Sequence, residues 1–210
     1  MALAVDTYQL GPVGTNCYVV RTDRGATEAV VVDPGADAAM LRIELARMRA
    51  QVAAILLTHT HWDHVGAVAD IAEASGAPVF VSPDGVGMLE SPLAPVPIRG
   101  YDDAQHVTGG GSLEAAGVSF DVLDVPGHAP GHLSFYADGA LFSGDVLFAG
   151  GVGRVDLPGG DWDTLLASIR LLADRYPPET VVYSGHGPAT TLGDELARNP
   201  FLAELRAAQQ

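Results

Sequence analysis

A single cysteine, Cys17, stands among the 210 residues, so the chain can form neither an internal disulfide nor a thiolate metal cluster. Its setting, Asn16-Cys17-Tyr18-Val19-Val20, reads as a buried strand in which a lone thiol behaves as a small hydrophobe. Basic residues are scarce too: 11 Lys and Arg against 26 Asp and Glu give a formal net charge of −15, and no stretch concentrates the cations. That argues against nucleic acid as a partner, because phosphate binding needs clustered Lys and Arg. No apolar run approaches the ~18–20 residues that cross a bilayer, and no basic segment followed by an apolar one opens the chain. The expectation is no membrane partner and a cytoplasmic location.

What is present is the composition of a globular protein, 48% hydrophobic and 18% charged, long enough to bury a full core as one domain over residues 1–210. Apolar segments 5–10, 16–21 and 29–32 read as strands, followed by an amphipathic helix over 37–49 and a buried strand over 52–57. A helix is expected from about His64 to Ser75, then a short strand over 77–81 and a proline-rich irregular lobe over 82–100. In the second half, 118–125 reads as a strand, 132–137 and 140–143 as a hairpin around Asp138-Gly139, and 161–176 as an amphipathic helix. A strand over 180–183 and a closing helix over 195–207 complete the pattern. Two β-then-α halves packed sheet to sheet, with helices outside and strands ending in polar loops along one rim, satisfy it.

Those loops carry the chemistry. Thr58-His59-Thr60-His61-Trp62-Asp63-His64 is an H-x-H-x-D-H run directly after an apolar strand. His128 lies in Pro126-Gly127-His128-Ala129-Pro130-Gly131-His132, Asp145 in Ser143-Gly144-Asp145, and His186 in Ser184-Gly185-His186-Gly187. His59 and His61, two apart in extended backbone, can point the same way. Asp63 and His64, at the turn into a helix, can face a second ion a few ångströms away. Five imidazoles and two carboxylates converging on one place would repel or desolvate badly without cations; two divalent ions make them a hydrolytic centre.

The THTHWDH, PGHAPGH, SGD and SGHG runs together resemble the metallo-β-lactamase superfamily over nearly the whole chain. The resemblance implies an α+β fold, the four-layer αββα sandwich. It also implies a first metal held by His59, His61 and His128, a second held by Asp63, His64 and His186, and Asp145 bridging them. The stretch 153–161 (GRVDLPGGD), the stretch 185–193 (GHGPATTLG) and Asn199-Pro200-Phe201-Leu202 are similar to short hydroxyacylglutathione hydrolase-like, or glyoxalase II-like, proteins. Many β-lactamases of the superfamily have cysteine where Asp145 stands, and its lactonases have tyrosine where Phe148 stands, so both activities recede. Longer hydroxyacylglutathione hydrolases carry basic residues in an added C-terminal helical segment; this tail, 201–210, holds one, Arg206.

What the resemblance implies is a di-metal hydrolase, with zinc the leading ion and iron or manganese also suited to these ligand types. A bridging hydroxide, generated because zinc-bound water has a pKa of about 7, would attack a small-molecule thioester such as S-lactoylglutathione. Two carboxylates against four metal charges leave the shell positive, which favours an anionic transition state. Asp63 is the candidate to orient the hydroxide and shuttle its proton. Arg154, after Gly-rich turns that follow Asp145, either clamps a substrate carboxylate or pairs with Asp156 or Asp161. Asp33 either supports a ligand imidazole or only forms its Asp-Pro-Gly turn. His132 is expected as a hydrogen-bonding support, His106 as exposed, and Trp62 as a wall of the pocket. The rival reading is a persulfide dioxygenase with one iron on two His and one Asp. The sequence carries no signal for oligomeric state.

Overall fold

The computed structural model describes residues 3–88 and 98–207. Alternation along its strands decides the layers. In β2 (Thr15–Arg21), following β1 (Ala4–Leu10), Cys17 and Val19 turn one way while Tyr18 and Val20 turn the other. In β3 (Glu28–Val32), Ala29 and Val31 part from Val30 and Val32 in the same manner. The first set packs under α1 (Ala38–Met48) through Leu41 and Leu45. The second faces Phe120, Phe135 and Phe142 of the opposite sheet. A third apolar layer sets Leu141, Val146 and Val182 against Leu165, Ile169 and Leu172. Three apolar layers between four sheets of structure make the αββα sandwich read from the sequence.

The first sheet runs β1-β2-β3 and then β4 (Gln51–Leu56), β5 (Val79–Val81) and β6 (Ala104–His106), antiparallel through β3 and parallel beyond it. Between β4 and β5 lie α2 (Trp62–Val65) and α3 (Val68–Ser75). The second sheet comprises β7 (Gly111–Ala115), β8 (Val118–Asp124), β9 (Leu133–Ala137) and β10 (Ala140–Gly144). After the small hairpin of β11 (Leu147–Phe148) with β12 (Gly151–Val152), α4 (Trp162–Arg175) crosses over to β13 (Val181–Ser184), parallel to β10, and β14 (Thr190–Thr191) closes the edge. The loops after β4, β8, β10 and β13 carry the histidines and aspartates singled out above.

Two expected helices are each broken in two. The helix over His64–Ser75 starts earlier, at Trp62, and breaks after Val65 because the Ala67 amide leaves the helical ladder for the Pro34 carbonyl, 2.9 Å away. That bond docks the ligand loop on the Asp33-Pro34-Gly35 turn. The closing helix divides into α5 (Leu192–Arg198), a 3-10 turn (Pro200–Leu202) and α6 (Ala203–Ala207). Pro200 supplies no amide and forces Asn199 out of helical geometry, to ψ 122°, while the Asn199 side chain caps the new turn at Phe201. Of the proline-rich lobe, 83–88 form a 3-10 turn and 89–97 lie outside the described residues. No described helix is long and apolar enough to cross a membrane.

Candidate metal centre

The structure brings all seven expected side chains to the rim where the strands end. His59 Nε2 and His128 Nε2 stand 3.0 and 2.8 Å from His61 Nδ1. On the other side, Asp63, His64 and His186 offer donor atoms within 4.8 Å of one another. Asp145 lies between the two groups, its Oδ2 at 3.6 Å from His128 Nε2 and 3.5 Å from His186 Nε2, its Oδ1 at 3.4 Å from His64 Nε2. Close behind, Gly185 has no room for a side chain: a Cβ there would sit 2.1 Å from Asp145 Oδ1 and 2.6 Å from His64 Cε1.

The outer face of each ring decides what its inner face presents. His64 Nδ1 meets Asp33 Oδ2 at 3.0 Å and His128 Nδ1 meets the Arg154 carbonyl at 2.8 Å; both partners only accept, so both Nδ1 atoms donate. Thr58 Oγ1 donates to Asp33 Oδ2 at 2.7 Å and therefore takes the His59 Nδ1 proton at 3.1 Å. Three Nε2 atoms are thereby aimed inward as ligand positions. Asp33 also accepts from the Thr58 amide at 2.8 Å, so the alternative left open by the sequence resolves to support of the ligand rings. His132 is fully buried, stacked on His59 at 4.6 Å, and its Nε2 accepts from the Asp145 amide at 3.1 Å. It supports the centre, while His106 is exposed on β6, away from it.

Charge completes the case for cations. Burial keeps His59 and His132 well below the ordinary histidine range, and lowers His61 to about 4; these rings are neutral at pH 7. Burial would raise Asp63 and Asp145, but the neighbouring histidines prevail and hold Asp63 at about 2 and Asp145 well below the usual range. His186 is lifted to about 9 by Asp145 and Asp63, and His64, despite burial, is lifted by Asp145 and Asp33. Among the described residues His64 Nε2 and Asp145 Oδ1 are buried without a hydrogen-bond partner. Nitrogens on a tetrahedral zinc at 2.0–2.1 Å lie about 3.3 Å apart, close to the spacing of the His59–His61–His128 group. The residues fit divalent ions.

A consequence is measurable. At neutral pH His64 and His186 carry protons that a cation must displace, so uptake of two ions is expected to release about two protons. Calorimetry in buffers of different ionisation enthalpy should record the release. Affinity should rise with pH up to about 9, where His186 loses its proton unaided. A pH-independent affinity would place the ions elsewhere.

The chain matches the pattern of the Metallo-beta-lactamase superfamily over residues 10–186. The chain belongs to this superfamily. It is 34% identical to the hydroxyacylglutathione hydrolase GloC of Haemophilus influenzae over 202 residues, 89% of this chain and 92% of that one. Among solved structures it is similar to the BLEG-1 B3 metallo-beta-lactamase (42% identity, TM-score 0.89, 95% of this chain and all of that one). It is also similar to TTHA1623 in a di-iron-bound form (41% identity, TM-score 0.76, 94% of this chain and all of that one). Metallo-hydrolase chemistry on a histidine–aspartate centre is the common ground of the superfamily match and the GloC likeness.

Two residues missed in the sequence stand behind the superfamily site. The Thr15 hydroxyl donates to Asp63 Oδ2 at 2.7 Å. The Asn16 amide clamps the loop bearing His186, donating to the Ser184 and Gly187 carbonyls at 2.9 and 2.8 Å while its own backbone amide reaches Gly185 O at 2.7 Å. The one available signal was a polar Thr-Asn pair opening an otherwise apolar strand. The cavity above the centre, about 330 Å³, is lined by Val13, Trp62, Leu157 and Pro158 with His61, Asp63, His128, Asp145, Arg154 and His186. Arg154 reaches it but is held by Asp156 through two hydrogen bonds of 2.6 Å, the ion-pair alternative of the sequence reading. Phe148 stands edge-on to His186 at 6.0 Å.

Proposed function

We propose that this protein is a di-metal hydrolase that cleaves thioesters of small thiols. The observation that carries the reading is the pair of ligand groups meeting at Asp145 under one small cavity, supported by the likeness to GloC. His59, His61 and His128 would hold one ion, Asp63, His64 and His186 the other, with Asp145 shared; zinc is the ion we assign. Bound there, two divalent ions supply a nucleophilic water at neutral pH and polarise the scissile carbonyl. Asp63 borders the cavity and is kept ionised by its surroundings, so its carboxylate could accept a hydrogen bond from that water and orient it. The Thr15 hydroxyl donates to Asp63 Oδ2 at 2.7 Å and so helps hold this carboxylate where it lines the cavity. Val13, Trp62, Leu157 and Pro158 form an apolar wall that receives the acyl group and limits access of bulk water.

Hydrolysis of S-lactoylglutathione, followed at the thioester absorbance, tests the reading. Saturable turnover lost to a chelator and regained on zinc addition is the expected result. A second reading, β-lactam hydrolysis, is carried by the 42% identity to BLEG-1. Turnover of a chromogenic cephalosporin with no thioester cleavage would install it. One iron per chain with oxygen uptake on a persulfide would install the dioxygenase instead.

A further inference from the structure

We infer that Asp156 latches Arg154, the one arginine among the described residues lining the cavity, so that this centre favours thioesters whose thiol is uncharged or cationic over those whose thiol bears a carboxylate. The inference rests on the thioesterase reading and narrows its substrate class. The chain contains no lysine, and its 11 basic residues are all arginine. Among the described residues lining the cavity, Arg154 alone carries a permanent positive charge. One edge of its fork is occupied, and its charge is met there: Nε donates to Asp156 Oδ1 and Nη2 to Asp156 Oδ2, each at 2.6 Å. This is the geometry in which a guanidinium grips a carboxylate best, and here the protein supplies the carboxylate itself.

The latch is held at both ends. The Arg154 carbonyl accepts from His128 Nδ1 at 2.8 Å, which ties the arginine backbone to the metal centre. Asp156 stands just before a closed turn in which the Gly160 amide bonds the Leu157 carbonyl at 2.9 Å, and the Asp161 cap of α4 follows directly. An incoming carboxylate that takes this edge must displace one tethered two residues away, whose effective concentration is of millimolar order or higher, and one that takes the Nη1 side shares the cation with the Asp156 charge. By the first route it would leave Asp156 as an unpaired anion beside itself. The net charge of −15 adds a field that disfavours anions before contact. Apolar Val13, Leu157 and Pro158 around the rim offer such a substrate nothing in exchange.

The test compares two thioesters of one acyl group, S-acetyl-3-mercaptopropionate and S-acetyl-N-acetylcysteamine, on the zinc-loaded wild type and on Asp156→Asn. Wild type is expected to favour the uncharged ester in kcat/KM by about tenfold, and Asp156→Asn, with Arg154 released, to narrow that ratio about fivefold or more. Arg154→Ala in the Asp156→Asn background should reverse the gain. A wild-type preference for the carboxylate ester, or an unmoved ratio in Asp156→Asn, overturns the latch. The same pair as inert thioethers, measured by calorimetry, separates the two proposals. Binding that discriminates in the same way without any thioester turnover would sink the hydrolase reading and keep the latch.

Discussion

Replacing Asp145 with alanine is expected to lower kcat/KM by about 10³-fold or more, the several kcal/mol that a correctly held metal pair contributes to an acyl-transfer barrier. The carboxylate approaches both ligand sets, lying 3.6 Å from His128 on one side and 3.4 and 3.5 Å from His64 and His186 on the other. Without it His64 and His186 lose the charge that chiefly raises them, and the proposed ions would lose the ligand they share. The fold should survive, because the backbone amide at 145 still donates to His132 Nε2. Metal analysis after gel filtration, together with turnover, checks this. A folded Asp145→Ala protein that keeps two ions and wild-type turnover would show that the two groups do not share this residue.

The second large effect is expected at Asp33, which faces no substrate. It is 2% exposed and accepts from the Thr58 amide, the Thr58 hydroxyl and His64 Nδ1. Asp33→Ala strands three buried donors, at a cost of about 3–5 kcal/mol. Alanine adds strain of its own, since φ at this position is 50°. Asparagine tolerates that backbone, so Asp33→Asn isolates the electrostatic part: His64 loses the acceptor that fixes its ring, and metal affinity should fall by about 10–100-fold. Thermal unfolding of the metal-free proteins and competition with a chromogenic chelator separate stability from affinity. Wild-type affinity in Asp33→Asn would reduce the residue to a turn former.

The layers were legible because residues 17–20 of β2 and 29–32 of β3 are apolar without a break, and strands apolar on both faces must lie between two packed layers, while β8 alternates. The seven side chains of the centre were legible because they sit in short runs immediately after the apolar strands β4, β8, β10 and β13. Other features leave no local trace. The break after Val65 depends on a bond to Pro34, a residue remote in sequence, and β6, β11, β12 and β14 are two or three residues long, too short for a period to show. Thr15 and Asn16 look like ordinary strand-opening polar residues until the second sheet brings Ser184 and Gly187 against them. Arg154 had two partners open to it by spacing alone, a carboxylate of its own loop or one on a substrate. The structure gives it Asp156, two residues along the same loop.

Behind the centre, a single carboxylate receives the His64 ring directly and the His59 ring by way of the Thr58 hydroxyl. Those rings belong to opposite ligand groups, and Asp145 already joins the groups in front. Disturbing that one carboxylate would therefore be felt by both ligand groups at once, so the two halves of the centre rest on a common footing.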